Sequence, residues 1–201
     1  MNDRMVWIDC EMTGLSLSDD ALIEVAALVT DSELNVLGEG VDIVIRPPSS
    51  ALETMPEVVR QMHTASGLLD ELAGGTTLAE AEERVLAYVR EHVKEPGKAP
   101  LCGNTVGTDR GFLLRDMGSL EKYLHYRIVD VSSVKELARR WYPRAYFNSP
   151  PKNGNHRALA DIRESIAELR YYREAIFVPQ PGPDSERART IAAKHVLPAA
   201  Q

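Results

Sequence analysis

The chain has 201 residues, 44% of them hydrophobic and 26% charged, a size and balance that suit one packed domain and leave little for a second. Its net charge is -7, so it lacks the basic excess with which proteins grip long nucleic acid: either it binds none, or it engages few phosphates and leaves part of the charge balance to metal ions. The two cysteines, Cys10 and Cys102, read as free buried thiols of a reducing compartment and do not suggest a disulfide framework; with no signal peptide and no apolar run of membrane-spanning length, a soluble cytoplasmic protein is expected, without membrane partners.

In chain order, Met5 to Ile8 reads as a strand buried on both faces, leading into Asp9-Cys10-Glu11-Met12-Thr13-Gly14-Leu15. Leu22 to Thr30 is apolar apart from Glu24 and reads as a second strand. After a turn at Asp31–Asn35, Val36 to Arg46 is a third, with Val41, Ile43 and Ile45 on one face; together they make an antiparallel meander. A helical region near Pro56–Met62 precedes a loop at His63–Gly67. Thr77 and Glu80 form a capping box for a helix striped by Leu78, Ala81, Val85 and Val89. Leu101–Asn104 is a short strand, and Asp109 opens a helix with Phe112, Leu113 and Leu114 on its buried side.

Tyr126 to Val131 reads as a further strand. A second capping box, Ser133–Glu136, begins a helix striped by Val134, Leu137, Ala138 and Trp141. Pro143 to Asn155 is a polar loop, and Arg157 to Ala175 is the last strong helix, with Leu159, Ile162, Ile166 and Leu169 facing the core. After Pro179 a Pro- and Gly-rich linker opens a tail expected to be mobile or weakly helical. The order predicts an α/β protein, a mixed sheet with helices on both faces.

The chemistry starts from Asp9 and Glu11. Strand residues at i and i+2 share a face, so the two carboxylates project together. At that spacing they repel unless water separates them or a cation lies between them, and oxygen donors so arranged suit Mg²⁺ or Mn²⁺. Taken alone, an Asp-x-Glu triplet is ordinarily a solvated strand end. Asp109 and Asp161, each in the first turns of a helix, are equally what the helix dipole favours. His156 precedes Asp161 by five residues, about 140° round a helix, and so belongs on the loop before it. There it is either a surface residue capping the helix or an imidazole placed to take a proton from water at a carboxylate-bound metal.

In this order, Asp9-x-Glu11, Asp109 and His156-x(4)-Asp161 resemble the DEDDh 3′-to-5′ exonucleases of the ribonuclease H-like fold. Trp7–Leu15, His63–Leu68, Cys102-Gly103-Asn104, His125-Tyr126-Arg127, Leu137–Trp141 and Asp161–Ser165 are similar to the oligoribonuclease family, over roughly Met5 to Ile176. The resemblance implies an exonuclease domain over residues 1–178 with a five-stranded mixed sheet; the tail over 179–201 lies outside it. It implies two divalent ions, Mg²⁺ or Mn²⁺, held by Asp9, Glu11, Asp109 and Asp161, with His156 as general base. It implies short RNA, down to dinucleotides, as substrate: Leu15 wedges against a base, Tyr126 stacks on one, and His63 contacts the 3′ end. Arg127, Ser132, Ser133 and Thr105 hold the 5′ phosphate, although plain helix capping accounts for Ser133 as well. It also implies a homodimer in which the segment bearing Tyr126 reaches the partner's site. One departure is the absence of an aromatic residue in Pro56–Met62, where these enzymes often carry one for base stacking.

Three other readings stay open on sequence alone. A DEDDh exonuclease acting on longer 3′ ends would need a basic groove, which the net charge disfavours. A domain that has lost catalysis and only holds nucleotides would be expected to lack a ligand or the histidine, and all five are present. A phosphoesterase for linear dinucleotides would share the chemistry and differ in its duty.

Overall fold

Alternate residues of the first strand face different helical layers, and that alternation places the acidic residues. A computed structural model describes residues 3–152, 154 and 156–197. Its strands are β1 (Met5–Met12), β2 (Leu22–Thr30), β3 (Val36–Val44), β4 (Pro100–Gly103) and β5 (His125–Asp130). They form one five-stranded sheet in the order β3-β2-β1-β4-β5. The β1–β2 and β2–β3 pairs are antiparallel, and the β1–β4 and β4–β5 pairs are parallel. This is the mixed α/β sheet expected.

The helices are α1 (Ser49–Glu53), α2 (Glu57–Ala65), α3 (Leu68–Glu71), α4 (Leu78–His92), α5 (Gly107–Asp116), α6 (Gly118–Tyr123), α7 (Val131–Trp141), α8 (Pro143–Phe147), α9 (Ala158–Ala175) and α10 (Ser185–Ala193). Val6, Ile8 and Cys10 share a core with Val85 and Val89 of α4, Phe112 and Leu113 of α5 and Leu120 of α6. Trp7 faces the other way, into a core with Val131 of α7 and Ala158, Ile162 and Ile166 of α9. Each large apolar side chain so buried contributes roughly 1.5–3 kcal/mol relative to exposure. Asp9 and Glu11 continue the face of Trp7, so the strand period that buries the indole turns both carboxylates toward α9. Among the described residues, no helix is long and apolar enough to cross a membrane.

Several local expectations change. β1 runs on to Met12 because Glu11 pairs with Glu24 and Met12 with Leu22 on β2. His63 to Ala65 form the last turn of α2, not a loop; the chain breaks only at Gly67, whose φ of 79° favours glycine. Leu114 is 64% exposed while Phe112 and Leu113 are buried, because the core-facing stripe of α5 is narrower than three consecutive residues. The Ser133–Glu136 capping box does not form. α7 starts three residues earlier, capped by Asp130, whose carboxylate accepts the Ser132 N–H. On that helix Val131 and Ala138 are buried, whereas Leu137 and Trp141 face outward.

The expected loop from Pro143 contains the short helix α8, and its Asn153 and Asn155 lie outside the described residues. The tail carries α10, capped by Asp184 and exposed along its length; the tail's last residues, from 198, lie outside the described ones.

Candidate active site

The site lies at the carboxyl ends of the parallel pair β1 and β4, the end where open α/β sheets hold ligands. Glu11 on β1, Asp161 in the first turn of α9 and His156 just before that helix converge: one ligand atom from each lies within 4.8 Å of the others. Asp9 lies one strand period before Glu11 on the same face. Asp109 approaches from α5 on the opposite layer, where its Oδ1 accepts the Cys10 N–H at 3.0 Å. The five residues expected to act together therefore come from three separate elements and the loop before α9. His156 stands in the left-handed region at φ 49°, a conformation that a residue other than glycine seldom adopts outside turns and functional sites.

Their electrostatics describe a site short of positive charge. Burial, followed by the charges of Asp109, Glu11 and Asp161, holds the Asp9 carboxyl well above its ordinary range. Burial, with Asp161, Glu24 and Asp109 nearby, pushes Glu11 up to about 8, and burial takes Asp109 to about 7. Asp161 is raised as well, by burial and Glu164, against the lowering influence of His156 and Lys152. The neighbouring cations are committed elsewhere. Arg157 pairs with Glu24 and Glu71, and Lys135 and Lys152 pair with Glu168. A hard divalent cation fits this donor set, supplying the charge that the carboxylate oxygens lack.

Sequence reasoning passed over the clamp that builds this corner. Glu24 is fully buried; its Oε1 accepts from Arg157 Nε at 2.8 Å and its Oε2 from the Ala158 N–H at 2.9 Å. The Arg157 guanidinium also grips Glu71 through both terminal nitrogens, at 2.7 and 3.0 Å. One arginine thus ties β2 and α3 to the start of α9, directly beside His156. The signal was present as the one charge in an otherwise apolar strand. Arg157→Ala would leave Glu24 buried beside the Asp42 carboxyl without its cation and is expected to cost roughly 3 kcal/mol. Glu71→Ala, at the exposed end, is expected to cost under about 1 kcal/mol. Urea unfolding midpoints of the two variants check this, and equal losses would contradict it.

The residues assigned to substrate occupy varied settings. Leu15 is 75% exposed on a loop that Asp20 braces, accepting from Thr13 Oγ1 at 2.9 Å and from the Ser16 N–H at 2.8 Å. A Cβ at Gly14 would push the Asp20 carboxylate out of these bonds. His63 is fully buried, with Nε2 2.9 Å from the Met12 carbonyl and Nδ1 without a hydrogen-bond partner among the described residues. In this conformation its ring touches the backbone beneath the site instead of open space. Tyr126 (73% exposed) and Arg127 stand on β5, one of the two edge strands of the sheet, with the Arg127 guanidinium 5.5 Å from the tyrosine ring centre.

Thr105, Ser132 and Ser133 surround the Asp130 carboxylate, which takes the Thr105 N–H, the Ser132 N–H and the Ser133 hydroxyl. The donors expected at an anion site therefore already hold the helix cap. A groove between α2 and the His156 loop is lined by Val58, Gln61, Met62, Ser66, His156 and Arg157. Its α2 wall carries Val58, Met62 and Ala65 beside the polar Gln61 and no aromatic residue.

Fold and site together define a ribonuclease H-like nuclease domain. The family model described as Exonuclease matches residues 6–169. Among solved structures, exonuclease I from Methylocaldum szegediense superposes with a TM-score of 0.62 at 20% identity, covering 86% of this chain and 41% of that one. The zinc-bound E. coli ExoI–ssDNA complex gives 0.66 at 18% identity, over 87% and 41%. The chain thus spans about two fifths of those proteins, and at such identities the likeness concerns the fold alone.

Closer relatives span the whole chain. The oligoribonuclease of Streptomyces avermitilis is 92% identical over 99% of this chain and 100% of its own. That of Rhodococcus jostii is 67% identical over 92% and 94%, and that of Mycobacterium tuberculosis 58% over 96% and 91%. The chain belongs to the oligoribonuclease family of 3′-to-5′ exoribonucleases, hydrolases of the phosphodiester bond.

Proposed function

We propose that the protein hydrolyses short oligoribonucleotides, dinucleotides above all, from the 3′ end to 5′-mononucleotides in the cytoplasm, using two Mg²⁺ or Mn²⁺ ions and His156 as general base. The observation that carries this is the convergence of Glu11, His156 and Asp161 within 4.8 Å, with the part-buried Asp9 on the same strand and the buried Asp109 on α5. Asp9, Glu11 and Asp161 would hold one ion, and Asp9 with Asp109 the second. Such ions activate water and stabilise the leaving 3′ oxygen in an in-line displacement at phosphorus.

The chain's own groups do the rest. His156 is exposed at the mouth of the site and takes the proton from the attacking water. Leu15 meets a base from one side, and Val58 and Met62 in the α2 groove take the place of an aromatic stack. His63 fixes the Met12 carbonyl under the 3′ end, and an opening of α2 would be needed for its ring to reach substrate. Arg127 receives the 5′ phosphate together with Thr105, Ser132 and Ser133, whose donors to Asp130 must turn toward it, a small set of donors in keeping with the net charge of -7.

A homodimer in which Tyr126 stacks on a base in the partner's site is supported by the exposed edge strand and by the outward Leu137 and Trp141. The test is a metal titration. Metal-stripped protein should leave a dinucleotide intact, and added Mn²⁺ or Mg²⁺ should release two mononucleotides. Hydrolysis that persists in excess chelator would contradict the proposal.

A further inference from the structure

The corner that would receive the 5′ end is joined to the metal-ligand helix by one side chain that the mechanism above does not use. Asn104 follows β4, and its amide is held at both ends. Its Oδ1 accepts from Ser132 Oγ at 3.0 Å. Its Nδ2 donates to Ser165 Oγ at 2.7 Å and to Glu168 Oε2 at 3.3 Å. Ser165 Oγ donates in turn to the Asp161 carbonyl at 2.8 Å. Glu168, 4% exposed, also accepts from Lys152 Nζ at 3.0 Å, on the segment leading to His156.

On the far side, Thr105 sits at φ 52°, in the left-handed region. Its N–H points to Asp130 Oδ1 and Ser132 Oγ, and its hydroxyl lies 3.1 Å from Ser132 Oγ. A chain of hydrogen bonds thus runs from Thr105 and Ser132, through Asn104 and Ser165, to the backbone of Asp161. An amide donating at one end and accepting at the other, between partners that are themselves held, fixes the distance between the two groups it joins.

We infer that Asn104 is a positioning residue for substrate length: it sets the spacing between the Thr105–Ser132 corner and Asp161, and so the number of nucleotides that fit between a gripped 5′ end and the scissile phosphate. The inference rests on the reading that this corner takes the 5′ end of a short RNA. A rigid tie favours the one length that satisfies both ends, because a longer chain cannot place its 5′ phosphate in the corner and its 3′-terminal linkage at the carboxylates together. Loosening the tie costs the fitting substrate its advantage and costs a longer chain, which never used the corner, far less.

The experiment measures kcat/KM for a 5′-phosphorylated dinucleotide and a tetranucleotide with wild type, Asn104→Ala and Ser165→Ala at saturating Mn²⁺, with thermal melting as a check on folding. Ser165→Ala removes a single hydroxyl from the relay and keeps Asn104, so it tests the same tie with little risk to the fold. The wild type should prefer the dinucleotide. Asn104→Ala should cut that preference at least tenfold, chiefly by lowering the dinucleotide value, and Ser165→Ala should move it the same way by less. Equal losses for both substrates, or no loss in either variant, would overturn the inference while leaving the dinucleotide reading intact. A wild type that shows no preference for the dinucleotide would remove the reading itself, and the inference with it.

Discussion

Asp161→Asn should abolish turnover while the metal-free protein melts at the same temperature or higher. The carboxylate lies with Glu11 and His156 on a face already crowded by Asp9 and Glu24, and burial holds it above its ordinary range. Asparagine keeps the shape, removes one of the mutually repelling charges, and offers a poorer ligand to a hard cation. Loss of a direct metal ligand is expected to lower kcat on the order of 10³-fold or more, beyond the 10–100-fold typical of groups that only orient ligands. Asp9→Asn should behave in the same way, because Asp9 has Glu11, Asp109 and Asp161 as charged neighbours. Steady-state rates on a dinucleotide beside melting curves check both. Near-normal turnover in either variant would contradict the metal assignment, and a collapse in melting temperature would recast these carboxylates as structural.

The second large effect is a reversal, by metal, of the stability profile with pH. Glu11 is pushed up to about 8 from an ordinary 4.5, and Asp109 to about 7 from 3.8. A carboxyl raised in the folded state binds protons more tightly there than in the unfolded chain. The stability it contributes is complete below the unfolded value and is lost as pH rises through the folded one. The metal-free protein should therefore lose melting temperature between about pH 4 and pH 8, by several degrees.

A divalent cation binds the ionised forms and must displace those protons, so its affinity rises with pH. Mn²⁺ should raise the melting temperature far more at pH 8 than at pH 5.5. Scanning calorimetry over that range, with and without Mn²⁺, makes the test. A metal shift that does not vary with pH would mean that these carboxyls do not hold the ion.

What the sequence revealed and what it hid follow from the range of the interactions. Strand alternation is local, so the shared face of Asp9 and Glu11 was readable from Trp7-Ile8-Asp9-Cys10-Glu11, as was the capping box at Thr77 and Glu80 that the structure contains. The placement of His156 on a loop followed from helical geometry alone. The remainder depended on partners distant in the chain. Glu24 and Arg157 are separated by 133 residues, and Asn104 and Ser165 by 61; no periodicity joins them.

Ser133 misled because a serine three residues before a glutamate looks the same whether or not it caps. The helix begins at Val131 only because Asp130, held by Thr105 from a different element, takes the cap. Leu137 and Trp141 kept helical spacing yet face outward, since an apolar stripe records that a helix has a buried face and not whether that face is covered within one chain. Asp109 on its own was indistinguishable from an ordinary acid near a helix start. The family resemblance gave it a role, and the Cys10 N–H bond shows how close to β1 it lies.

The most direct measurement is product analysis with 5′-labelled RNAs of two to about ten nucleotides in Mn²⁺, a range over which each added phosphate contact would strengthen binding to a long basic track. A site that grips few phosphates between Leu15, the Val58 groove and the Thr105–Ser132 corner should cleave the dinucleotide fastest and slow with length. Rates that rise with length would contradict it and point to an exonuclease that trims longer 3′ ends.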